Sequence, residues 1–333
     1  MGNSVYIIAE AGVNHNGDIK LAYKLVDAAK EAGVSCVKFQ TYITENDTVR
    51  NCEKADYQKK SDDLENQFDM VKRLELSFDE YMELKKYCDE QDIVFLSSPF
   101  DLDSLAFLNN IEMPFWKIAS SEITNYPFLR NIGMTQKPVV MSTGMCTLAE
   151  IDEALAVLKK FGTEKIMLLH CNTEYPTPMI DVNLKAMLSL RDKYNVEVGY
   201  SDHTLGTEVC VAAVAMGATV IEKHFTLDND MEGPDHKASL NPVQLKQLVE
   251  QVRNIEVAMG SAEKKPSMSE LNNKVAARKS LVANTKIKKG DILGEKNLAA
   301  KRPGGGVSPM RWEEYIGRVS NRDYEEDEMI DDV

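Results

Sequence analysis

A chain of 333 residues can hold one large domain and a small one, since a single α/β barrel runs to roughly 250 residues. With 43% hydrophobic and 28% charged residues it has the balance of a water-soluble globular protein, and a formal charge of −14 argues against nucleic acid or an anionic membrane as the main partner. It has no apolar run of about 18 residues, and its start, MGNSVYIIAE, has neither a basic region nor a long apolar segment, so a cytoplasmic location is expected.

In chain order, VYIIAE reads as a strand and DIKLAYKLVDAAKEAG as a helix whose Leu21, Leu25, Ala28 and Ala32 share a face. Further strands are read at CVKFQ, IVFLSS, FWKIAS, PVVMST, KIMLLHC, EVGYSD and TVIEKHFT, most of them separated by a helical stretch. Eight strands alternating with helices fit a closed (β/α)8 barrel (TIM barrel), with an open doubly wound sheet as the alternative. The barrel spans 1–260, and a polar, Lys-rich linker is expected over 261–278. Residues 279–333, with KKGD and a Gly triplet between short alternating strands, read as a small β-rich module ending in a solvated acidic tail, DYEEDEMIDDV. The cysteines Cys36, Cys52, Cys88, Cys146, Cys171 and Cys210 form no C-x-x-C pair, which points to free thiols. NDT at Asn46 is a formal glycosylation sequon and, without a secretory signal, reads as an ordinary loop.

A barrel enzyme builds its site from the carboxyl ends of its strands, and the polar residues fall there. They are Glu10, Lys38, Ser98, Lys117 with Ser120 and Glu122, Ser142, Thr173 with Tyr175, Ser201 with His203, and His224. His203 and His224 follow the seventh and eighth strands, neighbours in a closed barrel. Two neutral imidazoles with open positions suit a divalent metal acting as Lewis acid, and two core histidines satisfied by backbone are the plainer alternative. Lys38 and Lys117 lie among apolar neighbours, where a buried ammonium needs an anion. With the serines they would bind a substrate carrying two anionic groups, and a Schiff-base lysine is the rival use. In EAGVNHNGD, Asn16, Gly17 and Asp18 read as turn and helix cap, whereas Glu10 needs a role or a partner. Asp235 in MEGPDHKASLNP is placed to bond polyol hydroxyls, and His236 beside it is read as exposed or not with equal weight.

These segments resemble a known family. IIAEAGVNHNGD, VKFQTY, SSPFD, WKIASSEITNYP, MSTGM, LLHCNTEYPTP, GYSDHT, IEKHFT, GPDHKASLNP and KRPGGG, in order over almost the whole chain, are similar to the N-acetylneuraminate (sialic acid) synthases and their legionaminic and pseudaminic acid relatives. The resemblance implies a TIM barrel followed by an antifreeze-protein-like (SAF) domain, in a domain-swapped homodimer. It implies a transferase that condenses phosphoenolpyruvate with the open-chain aldehyde of an N-acetylhexosamine and releases phosphate. N-acetylmannosamine is the first expectation for the sugar, its 6-phosphate and a di-N-acetylated trideoxyhexose being the alternatives, and a non-catalytic sugar-binding protein is the reading from another class. By the same resemblance His203 and His224 hold manganese, with magnesium or cobalt as substitutes. Lys38, Ser98, Lys117, Ser120, Ser142, Thr173 and Ser201 contact phosphoenolpyruvate, and Thr173 is the position that varies among relatives. Glu10, Tyr175, Asp235 and Arg302 contact the sugar, and Glu122 or a water on the metal guides the attacking water.

Overall fold

The computed structural model describes residues 4–55, 58–59, 64 and 66–332, and it divides into two compact units, Met1–Gly260 and Ser261–Val333. The first unit is an eight-stranded parallel barrel: β1 Tyr6–Gly12, β2 Cys36–Thr41, β3 Val94–Pro99, β4 Trp116–Ile118, β5 Val139–Ser142, β6 Ile166–His170, β7 Val198–Asp202 and β8 Val220–His224. Hydrogen-bonded ladders run in the order β3-β2-β1-β8-β7-β6-β5-β4, so among the described residues the one seam without a ladder lies between β3 and β4. The strands are buried almost throughout, as expected where helices cover the outer face.

The helices are α1 Ile19–Ala32, α2 Thr44–Asp47, α3 Gln67–Leu74, α4 Phe78–Glu90, α5 Leu102–Leu108, α6 Tyr126–Met134, α7 Leu148–Lys160, α8 Ala186–Tyr194, α9 Glu208–Ala215 and α10 Pro242–Met259. Local sequence sets their limits. Asp18 caps α1 by accepting from Lys20 N, and Gly33, at φ 78°, ends it in the left-handed conformation that glycine adopts without strain. Thr147 and Glu150 form a capping box at α7. The buried face of α1 is Ala22, Leu25, Val26, Ala29 and Ala32; Leu21 and Ala28 are only half-buried, because the face is centred one position beyond the expected one. Asn46, expected in a loop, lies in the single turn of α2.

In the second unit, the segment expected as a linker carries a helix, α11 Met268–Ala277, with no buried side chain. β9 Ser280–Ala283 and β10 Leu298–Lys301 pair antiparallel. Leu281, Ile287, Leu293, Leu298, Val307, Tyr315, Tyr324 and Ile330 form the core of this unit, with Ala283. The acidic tail is therefore not simply solvated. Tyr324 and Ile330 are buried, and Arg322 holds Asp331 and Glu328 at 2.6 Å each, so two apolar anchors and one arginine fold the carboxylates back onto the unit. Among the described residues no helix is long and apolar enough to cross a membrane.

Candidate active site

Every strand-end residue named above, together with Asp235, lines a single cavity of about 630 Å³ at the carboxyl ends of the strands. Arg302 does not; it is exposed on the second unit. Strand alternation explains the convergence, because residues two apart on a strand share a face. Ser201 and His203 at the end of β7 point the same way, as do Glu222 and His224 on β8.

The floor is a buried ionic cluster. Lys38 Nζ lies 2.7 Å from Glu10 Oε2, without hydrogen-bond alignment, and 3.3 Å from Ser98 Oγ. Lys117 Nζ donates to Ser142 Oγ at 2.8 Å and to the Ile118 carbonyl at 3.3 Å. Glu222 lies between the lysines, 3.4 Å from Lys117 and 3.8 Å from Lys38, and accepts from Ser201 Oγ at 2.9 Å. Burial pulls the Lys38 ammonium down, but Glu10 and Glu222 outweigh it and leave its pKa raised. Lys117 has less compensation, and burial leaves its pKa lowered. Burial likewise acts to raise both carboxylates. Glu10 stays raised despite Lys38, whereas the charges of Lys117 and Lys38 bring Glu222 below its ordinary value. The anion that the buried lysines require is thus supplied in part by the protein itself, through a residue that the strand-end reading passed over. Its signal was present in VIEKH: Glu222 shares the cavity face of β8 with His224, while Lys223 faces away and pairs with Asp202 at 2.7 Å.

The imidazoles form the wall over β7 and β8. Their ring centroids are 5.3 Å apart, and Tyr175 stacks on His203 at 4.1 Å and meets His224 edge-on at 5.5 Å. His203 Nδ1 bonds the Asn172 carbonyl, which can only accept, so this nitrogen carries the proton and Nε2 presents a lone pair. The Tyr175 hydroxyl is 3.1 Å from Nε2. His224 Nδ1 is buried without a hydrogen-bond partner, 3.9 Å from Asp235 Oδ2. Burial lowers the His203 pKa to about 4 and that of His224 well below its usual value, so both rings are neutral. Asp235 is pushed up to about 7, by burial and then by the nearby Glu10 charge. Glu122, in a 3-10 turn after β4, accepts from Asn125 at 2.7 Å and Ser121 at 3.0 Å, and burial raises its pKa.

Close approach at Gly144 completes this side. A Cβ there would come within 2.8 Å of Cys171 Sγ and 2.9 Å of Thr173 Cγ2, and the Gly144 amide donates to Ser120 Oγ at 2.8 Å. Gln40, also absent from the strand-end reading, donates to Glu10 at 2.9 Å. His236 is fully buried: its Nε2 bonds Asn16 Oδ1 at 3.1 Å and its Nδ1 bonds Thr226 Oγ1 at 2.6 Å. Asn16, at φ 53°, is a turn residue as read and also donates to the Glu232 carbonyl at 2.8 Å, tying the turn after β1 to the loop that bears Asp235. All six cysteines are free.

Residues 25–264 match the NeuB family and residues 278–332 match the SAF domain. The chain belongs to the NeuB family. It is 52% identical to the N,N'-diacetyllegionaminic acid synthase of Campylobacter jejuni over 97% of this chain and 98% of that protein. The enzyme of the same name from Legionella pneumophila is 43% identical, covering 94% of this chain and 89% of its own. Among solved structures, the N-acetylneuraminic acid synthetase of Leptospira borgpetersenii, in complex with citrate, matches with a TM-score of 0.73 and 36% identity over 82% of this chain and 91% of that one. This member of the NeuB family is a nonulosonic acid synthase, an enzyme that forms a carbon–carbon bond.

Proposed function

We propose that the chain condenses phosphoenolpyruvate and water with the open-chain aldehyde of a di-N-acetylated trideoxyhexose, giving a diacetyllegionaminic-type acid and phosphate. The observation that carries this reading is the meeting of two neutral strand-end imidazoles with two buried lysines in one cavity. The two diacetyllegionaminic acid synthases at 52% and 43% identity support the di-N-acetylated sugar over N-acetylmannosamine.

Lys38 and Lys117 bind the phosphate and carboxylate of phosphoenolpyruvate. Both ammoniums already face hydroxyls and carboxylates on the cavity floor, Lys38 beside Ser98 and Glu10 and Lys117 beside Ser142 and Glu222, where the ligand's anionic oxygens would join them. Ser98, Ser120, Ser142, Thr173 and Ser201 supply hydroxyls around them. His203 and His224 fit a divalent cation, manganese in the first instance: both rings are neutral, and one buried His224 nitrogen has no other partner. When bound, the cation supplies Lewis-acid polarisation of the aldehyde oxygen. The methylene carbon of phosphoenolpyruvate then bonds to the aldehyde carbon, water adds at the carbon bearing the phosphate, and phosphate leaves. Glu122, its affinity for protons raised by burial, takes the proton of that water. Glu10, Tyr175 and Asp235 hold the sugar hydroxyls. Arg302 donates to the sugar from the SAF domain of a partner subunit in a domain-swapped homodimer, and the enzyme works in the cytoplasm.

Phosphate release from phosphoenolpyruvate, measured with the di-N-acetylated trideoxyhexose, N-acetylmannosamine and its 6-phosphate, tests both levels. Fastest release with the first is expected; equal or faster release with another sugar overturns the sugar assignment, and none with any sugar overturns the reaction. Chelator should abolish release and Mn²⁺ restore it, and His203→Ala should lose most activity while staying folded. Full turnover under chelator overturns the metal assignment.

A further inference from the structure

One wall of the cavity differs chemically from the rest. Val13, Tyr42 and Leu74 bury together as a small apolar cluster separate from the barrel core, with Val71 and Phe100 packed against it, and all five line the cavity. Val13 follows β1, Tyr42 follows β2 and Phe100 follows β3, so the cluster covers one sector of the barrel mouth, while His203 follows β7 and His224 ends β8. Val71 and Leu74 come from α3, which is firmly held. The Tyr42 hydroxyl donates to the Val71 carbonyl at 3.1 Å, and Glu75, just past the helix, accepts from Thr44 N at 2.9 Å and Thr44 Oγ1 at 2.5 Å. Gly17 lies so close that a Cβ there would meet the Arg73 carbonyl at 2.4 Å. The wall is preformed.

A three-carbon phosphoenolpyruvate needs the ionic floor and leaves most of a cavity of about 630 Å³ to the second substrate. Hydroxyls turned toward this wall would lose water and gain no partner, whereas methyl groups gain by leaving water. We infer that the wall formed by Val71, Phe100 and the cluster behind them is the subsite for the non-polar end of the sugar, namely the acetamido methyl remote from the aldehyde and the deoxygenated carbon, and that it selects against a hydroxylated sugar. The inference rests on the proposed condensation with a di-N-acetylated trideoxyhexose and adds which residues read it.

Val71→Thr tests it, because threonine keeps the shape, replaces one methyl by a hydroxyl and has nearly the same helix propensity. The readout is kcat/KM for the di-N-acetylated trideoxyhexose divided by kcat/KM for N-acetylmannosamine, with KM for phosphoenolpyruvate and the melting temperature as controls for the fold. The ratio should fall about fourfold in Val71→Thr, the effect of one methyl group, and further in Val71→Asn. An unchanged ratio in both variants, with the wild type active on the di-N-acetylated sugar, overturns the subsite alone. A wild type inactive on that sugar overturns the substrate reading and the subsite with it.

Discussion

Glu222 has one hydrogen-bonded serine and two lysines as neighbours, and its carboxylate is buried with them. Removing one member of a buried ion cluster leaves the remaining charges without compensation, which commonly costs about 3–5 kcal/mol. Glu222→Gln keeps the shape and the hydrogen bond from Ser201 but removes the charge. It is expected to lower stability by about 3 kcal/mol or more in denaturant titrations, with the two lysines then poorly matched unless an anion is present. Added phosphoenolpyruvate should restore part of the loss, and a variant as stable as wild type would show that the lysines do not depend on this carboxylate. The strand-end reading passed Glu222 over, although alternation puts it on the same face of β8 as His224. The pairing of Glu10 with Lys38 was not legible: it depends on a register of Glu10 with Lys38 across β1 and β2 that strand ends do not specify.

At the level of elements, His236 ties the turn after β1 to the loop after β8. His236 donates to Asn16 and accepts from Thr226, while His15 Nδ1 accepts from the Gly17 amide at 3.1 Å and its Nε2 is buried without a partner. Burial lowers both pKa values to about 4. A base depressed in the folded state contributes stability that is present above its unfolded pKa and lost as pH falls from there toward the folded value. Here that window runs from about 6.5 down to about 4. The two together should cost about 3 kcal/mol between about pH 7.5 and about pH 5.5. Because His203, His224 and Asp235 titrate across the same range, the check is the difference in chemical denaturation between wild type and His236→Gln at the two pH values, which should be about half of this; an equal slope in the variant would place the proton uptake elsewhere. Sequence could not reach this link, since it joins segments that are 220 positions apart. For the same reason His236 was open to being read as exposed, whereas the cap at Asp18 and the turn at Asn16 and Gly17, being local, were readable directly.

For the whole molecule, the order of strands and helices was readable because each β/α unit carries its own change of hydrophobic period. The folding of the acidic tail was not, because its anchors Tyr324 and Ile330 are two apolar residues within a charged run. Arg302 belongs to this scale. If it serves a partner's barrel, Arg302→Ala should lower kcat/KM for the sugar by about tenfold or more, the loss of one charged hydrogen bond. Mixed with His203→Ala chains, it should recover activity in heterodimers that pair one intact barrel with one intact cap. Unaltered sugar kinetics, or full activity in a monomer, would remove the shared site. Finally, β4 spans only Trp116–Ile118 and is laddered to β5, and among the described residues no ladder joins it to β3. The barrel is therefore a ring with a clasp, and Lys117 sits on the clasp. Its link to Ser142 stays on the β5 side, while the contact with Glu222 reaches across the mouth to β8. An anion held by both lysines would bridge β2 and β4 on either side of the seam, so the ligand that the enzyme consumes would also be the part that fastens its barrel shut.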